Sequence, residues 1–284
     1  MYGEDQKKIM VDSDNKLIHQ FLDNIKSEGK SRNSIRSLRT DLSQFPAYMA
    51  VKGKESFGDI SLQEVKEFVI RDKAGDAAIS RRVWTLKKFY AFLHEEGYTK
   101  EDISKGLRVS EIAGAQAKTY DALSLEDMGK LLKYGEEKLS VENTPLPYLL
   151  LSCLLSGLKP NDISALTFEQ VRLDDKRGVF QIGSRKIPLS KHVSLDLFKR
   201  AFALVQLLAE KTVFDFSVGQ VWFWLQKYSK ATGLSVNTTQ FRWRFFFDLV
   251  QEGKRAEEVA EMSGLTNAYV NKFYPDVLKI VGEK

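Results

Sequence analysis

The apolar positions of the first hundred residues recur at helical spacing. In the stretch "SRNSIRSLRTDLSQFPAYMAV", Ile35, Leu38, Leu42 and Phe45 share one side while Arg32, Arg36 and Arg39 recur on another. "SLQEVKEFVI" opens with Ser61 and Glu64 in capping-box spacing. "DAAISRRVWTLKKFYAFLHEEG" aligns Ile79, Val83, Leu86, Phe89 and Phe92 or Leu93 before Gly97, a helix stop. These features predict a small helical bundle. The pattern weakens after Tyr98, where two glycines and several small residues mark an interdomain linker, taken as 111–119. A second domain then opens at "DALSLEDMGKLLKY", with Ser124 and Asp127 placed as an N-terminal cap. "PYLLLSCLLSG" is apolar on every side and predicts a helix in the middle of a core. "VRLDDKRGVFQIGSRKIPLS", carrying Val179, Ile182 and Ile187 between turn residues, predicts a short β segment, and the chain from Ser194 onward is helical again.

Composition sharpens this outline only a little. The chain has 284 residues, of which 43% are apolar, enough for two cores. Its 43 basic against 38 acidic residues give a formal charge of +5, a mild bias compatible with nucleic acid. The single cysteine, Cys153, cannot form an internal disulfide, which favours a reducing, cytoplasmic setting. No apolar run is long enough for a membrane span. The three histidines, His19, His94 and His192, lack metal-ligand spacing, so neither metal nor cofactor is implied.

Candidate chemistry lies in three segments. The first is "SGLKPNDI", in which a buried helix meets a Gly-Leu-basic turn at Lys159 and is followed by a second helix and the small sheet. The second is "TQFRWRFFFDLV", where Arg242 and Arg244 stand two apart among aromatics. The third is "MSGLTNAYVNKFY", which ends on Tyr274. Read locally, each has a plain explanation. Arg242 and Arg244 would be surface arginines on a helix whose Phe241, Phe245 and Phe246 fill the core, Lys159 a solvated turn residue, and Tyr274 an ordinary core or surface tyrosine. The third segment also has small, turn and apolar residues at Ala260, Gly264 and Val270, the spacing of a helix-turn-helix.

Taken in order, the three segments resemble the tyrosine recombinase (phage integrase) family. There the equivalents read Thr-Gly-Leu-Arg-hydrophobic-Ser-Glu-Leu, His-x-Leu-Arg-His-Thr-Phe-Ala, and Leu-Gly-His followed by the nucleophilic tyrosine. The resemblance covers nearly the whole chain. It implies a mainly α protein: a helical core-binding (SAM-like) DNA-binding domain over 1–110, the linker 111–119, and a tyrosine-recombinase-type domain with a small β-sheet over 120–284. It also implies double-stranded DNA as partner, with a homo-oligomer on the DNA. In the family a tyrosine hydroxyl attacks a DNA phosphodiester, giving a 3′-phosphotyrosyl link and a free 5′-hydroxyl, while cationic donors hold the charge on the nonbridging oxygens.

Carried over residue by residue, the resemblance assigns the nucleophile to Tyr274, phosphate-binding roles to Arg242 and Lys159, and the hairpin lysine that protonates the leaving oxygen to Lys186, with Arg185 as the other choice. Phe241 stands for the leucine and Trp243 for the second histidine of the middle segment, and three of the six expected catalytic groups are altered. Lys159 replaces an arginine, and a compact ammonium cannot grip phosphate as a planar fork does. Thr239 and Leu265 replace histidines and supply no imidazole. These losses point to a catalytically impaired member used for DNA binding, as a regulator of transcription or an architectural partner in recombination; the alternative is an active recombinase with an atypical site. DNA contacts are expected from Arg32, Arg36, Arg39, Arg81, Arg82, Lys87 and Lys88 on two bundle helices, and from Arg244.

Overall fold

A computed structural model describes residues 3–73, 75–112, 120–209 and 211–282, with backbone only for 3–14 and 73. The chain divides into two compact units, 1–118 and 119–284. The first contains α1 (Gly3–Ser27), α2 (Arg32–Leu42), α3 (Phe45–Val51), α4 (Leu62–Ile70), α5 (Asp76–Glu95) and α6 (Val109–Ile112). The linker expected over 111–119 therefore begins inside α6, and its remainder, 113–119, lies outside the described residues.

Local chemistry sets the ends of these helices. The Ser31 hydroxyl accepts the Ser34 amide at the start of α2, and Ser61 with Glu64 closes a reciprocal capping box on α4. Pro46, tolerated only in a first turn, fits the restart of the chain as α3 after α2 ends. One hydrophobic cluster joins Phe21 and Leu22 of α1, Leu38 and Leu42 of α2, Phe45 and Met49 of α3 and Phe89 and Leu93 of α5. Its aromatic contacts are close, with Phe45 against Phe68 at 4.6 Å and Phe57 edge-on to Phe89 at 4.9 Å.

Two of the arginines expected on DNA are part of this framework. Arg81 of α5 grips Asp41 of α2 with Nε at 2.9 Å and Nη2 at 2.8 Å. Asp41 is only 4% exposed and also accepts the Thr85 hydroxyl at 3.1 Å. A buried carboxylate needs such a partner, so the charge of Arg81 is already engaged. Arg82 turns inward and donates Nη1 to the carbonyls of Val69 and Arg71 at 2.9 and 3.0 Å, closing the C-terminal end of α4. By contrast Arg32, Arg36, Arg39, Lys87 and Lys88 are solvent-exposed, and none has an ion pair among the described residues.

The second unit contains α7 (Leu125–Val141), α8 (Leu146–Leu155), α9 (Pro160–Ser164), the strands β1 (Val171–Leu173), β2 (Gly178–Ile182) and β3 (Arg185–Pro188), then α10 (Leu195–Gln206), α11 (Val218–Thr232), α12 (Thr238–Gln251), α13 (Ala256–Ser263), α14 (Asn267–Val270) and α15 (Tyr274–Gly282). Every residue of α8 from Pro147 to Leu155 is buried. Its polar groups are met internally: Ser152 Oγ donates to the Tyr148 carbonyl, and Ser156 Oγ to that of Ser152, each at 2.7 Å. The strands form one antiparallel sheet in the order β1-β2-β3, with Val171 opposite Phe180 and Phe180 opposite Ile187. Alternation along β3 puts Arg185 on the same face as the buried Ile187, and Lys186 on the other.

Candidate anion-binding site

The site is assembled around a glycine. Gly157, at φ +79°, turns the chain out of α8, and a Cβ there would lie 2.4 Å from Cδ1 of Phe245. The absence of a side chain lets the Phe245 ring rest directly on the turn, which locks α12 against the end of α8. Lys159 follows at the start of α9, its amide donating to Asp162 Oδ2 at 3.2 Å and its Nζ to the Gly264 carbonyl at 3.1 Å. Arg185 reaches the same carboxylate with Nη2 at 2.9 Å. It also lies flat over Gly264, where an added Cβ would meet its Cδ, Nε and Cζ at 3.0–3.2 Å.

Arg242, one turn into α12, faces this group and has its guanidinium 5.6 Å from the Phe246 ring. With Lys159, Thr239 and Trp222 it lines an open pocket of about 330 Å³. Thus Lys159 and Arg242 share one cleft, and Arg185 is the hairpin cation that joins them. Their charges act on one another. Burial, then the Arg242 and Arg185 guanidinium groups, lower the Lys159 pKa below the ordinary lysine value, against a smaller opposing pull from Asp162. Arg242 is likewise lowered, chiefly by burial, with Tyr269 and Asp162 acting to raise it and Arg185 to lower it. Of the four buried guanidinium nitrogens without a hydrogen-bond partner among the described residues, two, Arg185 Nη1 and Arg242 Nη2, belong to this cluster, the others being Arg71 Nε and Arg244 Nε. Three cations around a single carboxylate, with two donors unsatisfied, make a site suited to an anion.

Other expected site residues fall elsewhere. Arg244 is a core residue, 6% exposed, with Nη2 2.8 Å from Asp248 Oδ1. Asp248 also receives His192 Nε2 at 3.1 Å, so Arg244 is an internal counter-ion and presents no charge to DNA. Its i, i+4 spacing to Asp248, between Phe247 and Leu249, was the sequence signal for this role. Lys186 is exposed on the face of β3 opposite Arg185 and does not join the cluster. Thr239 is exposed at the pocket rim, and Leu265 packs against the core.

Tyr274 opens α15, and its hydroxyl donates to the Lys254 carbonyl at 2.7 Å. Lys254 follows the last turn of α12, whereas Arg242 is in its first; from Arg242 to Gln251 the helix rises about 13 Å. The Tyr274 hydroxyl is therefore engaged at the end of α12 opposite to the one that carries Arg242. The tyrosine near Arg242 is Tyr269 on α14, half exposed and edge-on to Phe273 at 5.8 Å. Sequence reasoning missed Tyr269, which nothing local marks, and also Asp162, although it is the acid at the third position of α9 and stands where the family pattern has glutamate. A helix-turn-helix is not formed here, since α14 is a single turn of four residues.

Comparison with known proteins matches residues 18–97 to the phage integrase N-terminal SAM-like domain. Tyrosine recombinase XerD of Rickettsia bellii is 28% identical over 159 residues, 55% of this chain and 51% of that protein, so this alignment spans about half the relative's length. Tyrosine recombinase XerC of Thermodesulfovibrio yellowstonii is 23% identical over 283 residues, 92% of this chain and 91% of that one. Among solved structures, a lambda integrase dimer bound to a COC′ core site superposes with a TM-score of 0.65 at 13% identity, covering 91% of this chain and 94% of that one. XerH recombinase bound to palindromic difH substrate gives 0.66 at 16% identity, covering 88% and 78%. At these identities the superpositions establish the fold.

Proposed function

Because the chain belongs to the tyrosine recombinase (phage integrase) family, we propose that it binds double-stranded DNA and is impaired in strand cleavage, serving as a DNA-binding regulator or architectural partner in recombination. The observation that carries this reading is the cluster of Lys159, Arg185 and Arg242, with two unpartnered guanidinium nitrogens where a phosphate oxygen would be gripped. The exposed Arg32, Arg36, Arg39, Lys87 and Lys88 of the first unit supply further phosphate contacts. Impairment follows from the same residues. A lysine stands for an arginine, Thr239 and Leu265 carry no imidazole, and the Tyr274 hydroxyl is held on the Lys254 carbonyl.

A salt titration tests the binding. If the five exposed cations each meet a phosphate and the cluster holds one more, the logarithm of duplex affinity should fall with the logarithm of salt at a slope of about −5, and Arg36→Glu or Lys87→Glu should flatten it by about one unit. A flat response would rule out the reading. The second reading, an active recombinase, has in its favour the convergence of Lys159, Arg185 and Arg242. It requires Tyr274 to leave Lys254, and one such hydrogen bond is worth only about 0.5–1.5 kcal/mol net.

A further inference from the structure

The pocket that holds Lys159 and Arg242 has an aromatic wall whose role phosphate binding does not account for. Trp222, on α11, lines it together with Val218 one turn earlier, opposite Thr238 and Thr239. Trp222 is 49% exposed, and Phe223 beside it 52%. Lys227, one turn on, stands 4.6 Å from the Phe223 ring and adds a further cation to this edge of α11. The exposed indole at the wall of a cationic pocket offers a flat apolar face on which a planar group can stack. The pocket, about 330 Å³, lies at the lower end of the range for small-ligand sites, roughly 300–1,000 Å³.

We propose that this pocket takes one unstacked nucleotide of a DNA strand, its phosphate on Lys159 and Arg242 and its base against Trp222. The inference rests on the DNA-binding reading and narrows it to DNA with an unpaired or displaced base. Charge and shape agree on this occupant. The unpartnered Arg242 Nη2 asks for an anion, while the indole offers a surface that every base can stack on and that a paired, stacked base cannot reach. A phosphate alone would leave Trp222 uncovered, and an apolar ligand would leave Arg242 unpaired.

The test compares a one-nucleotide-gapped duplex, with 2-aminopurine beside the gap, against the intact duplex of the same sequence, using fluorescence anisotropy on the full chain. The native chain should prefer the gapped duplex by about tenfold, and binding should quench the 2-aminopurine. Trp222→Ala should abolish both the preference and the quenching. Trp222→Phe should restore most of the preference, and Trp84→Ala, at an exposed tryptophan of the first unit, should leave it intact. Equal affinity of the native chain for both duplexes, or a preference that survives Trp222→Ala, would overturn the nucleotide pocket while leaving duplex binding in place. Failure to bind either duplex would overturn both.

Discussion

Alanine at Arg242 and alanine at Arg244, two residues apart on one helix, should have opposite effects. Arg244 is buried and paired with Asp248 at 2.8 Å, so its removal strands a carboxylate in the core. Breaking a buried pair from one side costs about 3–5 kcal/mol. Here the loss is softened because Asp248 keeps His192 at 3.1 Å and Lys191 at 3.8 Å, so we expect about 2–3 kcal/mol. For a unit of this size that lowers the melting temperature by roughly 5–10 °C. The folded Arg244→Ala protein should still bind duplex DNA with native affinity. Arg242→Ala removes a guanidinium that already has an unpartnered nitrogen, so stability should change little. It should weaken duplex binding by roughly tenfold to a hundredfold, as expected for a charge-assisted contact worth about 1.5–3 kcal/mol. Thermal melting followed by circular dichroism and anisotropy at fixed salt would measure both. An Arg244→Ala protein that melts normally but loses DNA would refute the assignment of that arginine to the core.

Further outcomes follow from other contacts. Arg82→Glu should lower the stability of the first unit in thermal melting, because the carbonyls of Val69 and Arg71 lose their donor and face a carboxylate, whereas Lys88→Glu should leave melting unchanged. Gly157→Ala combines a left-handed φ of +79° with a Cβ 2.4 Å from Phe245, and should destabilise the second unit by about 3 kcal/mol in denaturant unfolding. The depressed Lys159 pKa sets a pH dependence. Anion binding needs the ammonium, so affinity should be fully present below the lowered pKa and fall as pH rises through it, before the ordinary lysine value of 10.5 is reached. Lys159→Arg should carry binding into that alkaline range in a pH titration of duplex affinity.

The elements were legible where one helix or strand decides its own fate. The all-apolar α8, the caps at Ser61 and Ser124 and the aromatic face of α12 are stated by their local patterns, and each forms as read. The order of the three segments likewise brought Lys159 and Arg242 to one cleft. What could not be read was the direction of individual cations. Arg81 and Arg82 resemble Lys87 and Lys88 in sequence, but Asp41 lies forty residues from Arg81, and the carbonyls that Arg82 reaches belong to the end of another helix. Spacing from Leu265 locates Tyr274 without saying where its hydroxyl points, which depends on the Lys254 carbonyl twenty residues away. Which of Arg185 and Lys186 lies beside Lys159 depended on strand register, which puts neighbours on opposite faces.

The central claim, that the chain holds DNA without cutting it, is met most directly by trapping the covalent intermediate. A duplex selected for tight binding to the native chain, nicked so that a cleaved strand is lost, would be incubated with the protein and resolved under denaturing conditions. With Lys159 in place of arginine and no imidazole at Thr239 or Leu265, even about 2.7 kcal/mol per lost donor would slow cleavage by some six orders of magnitude if the losses added fully. The account predicts no protein–DNA adduct and unchanged binding by Tyr274→Phe. An adduct that forms with the native chain and disappears with Tyr274→Phe would contradict it.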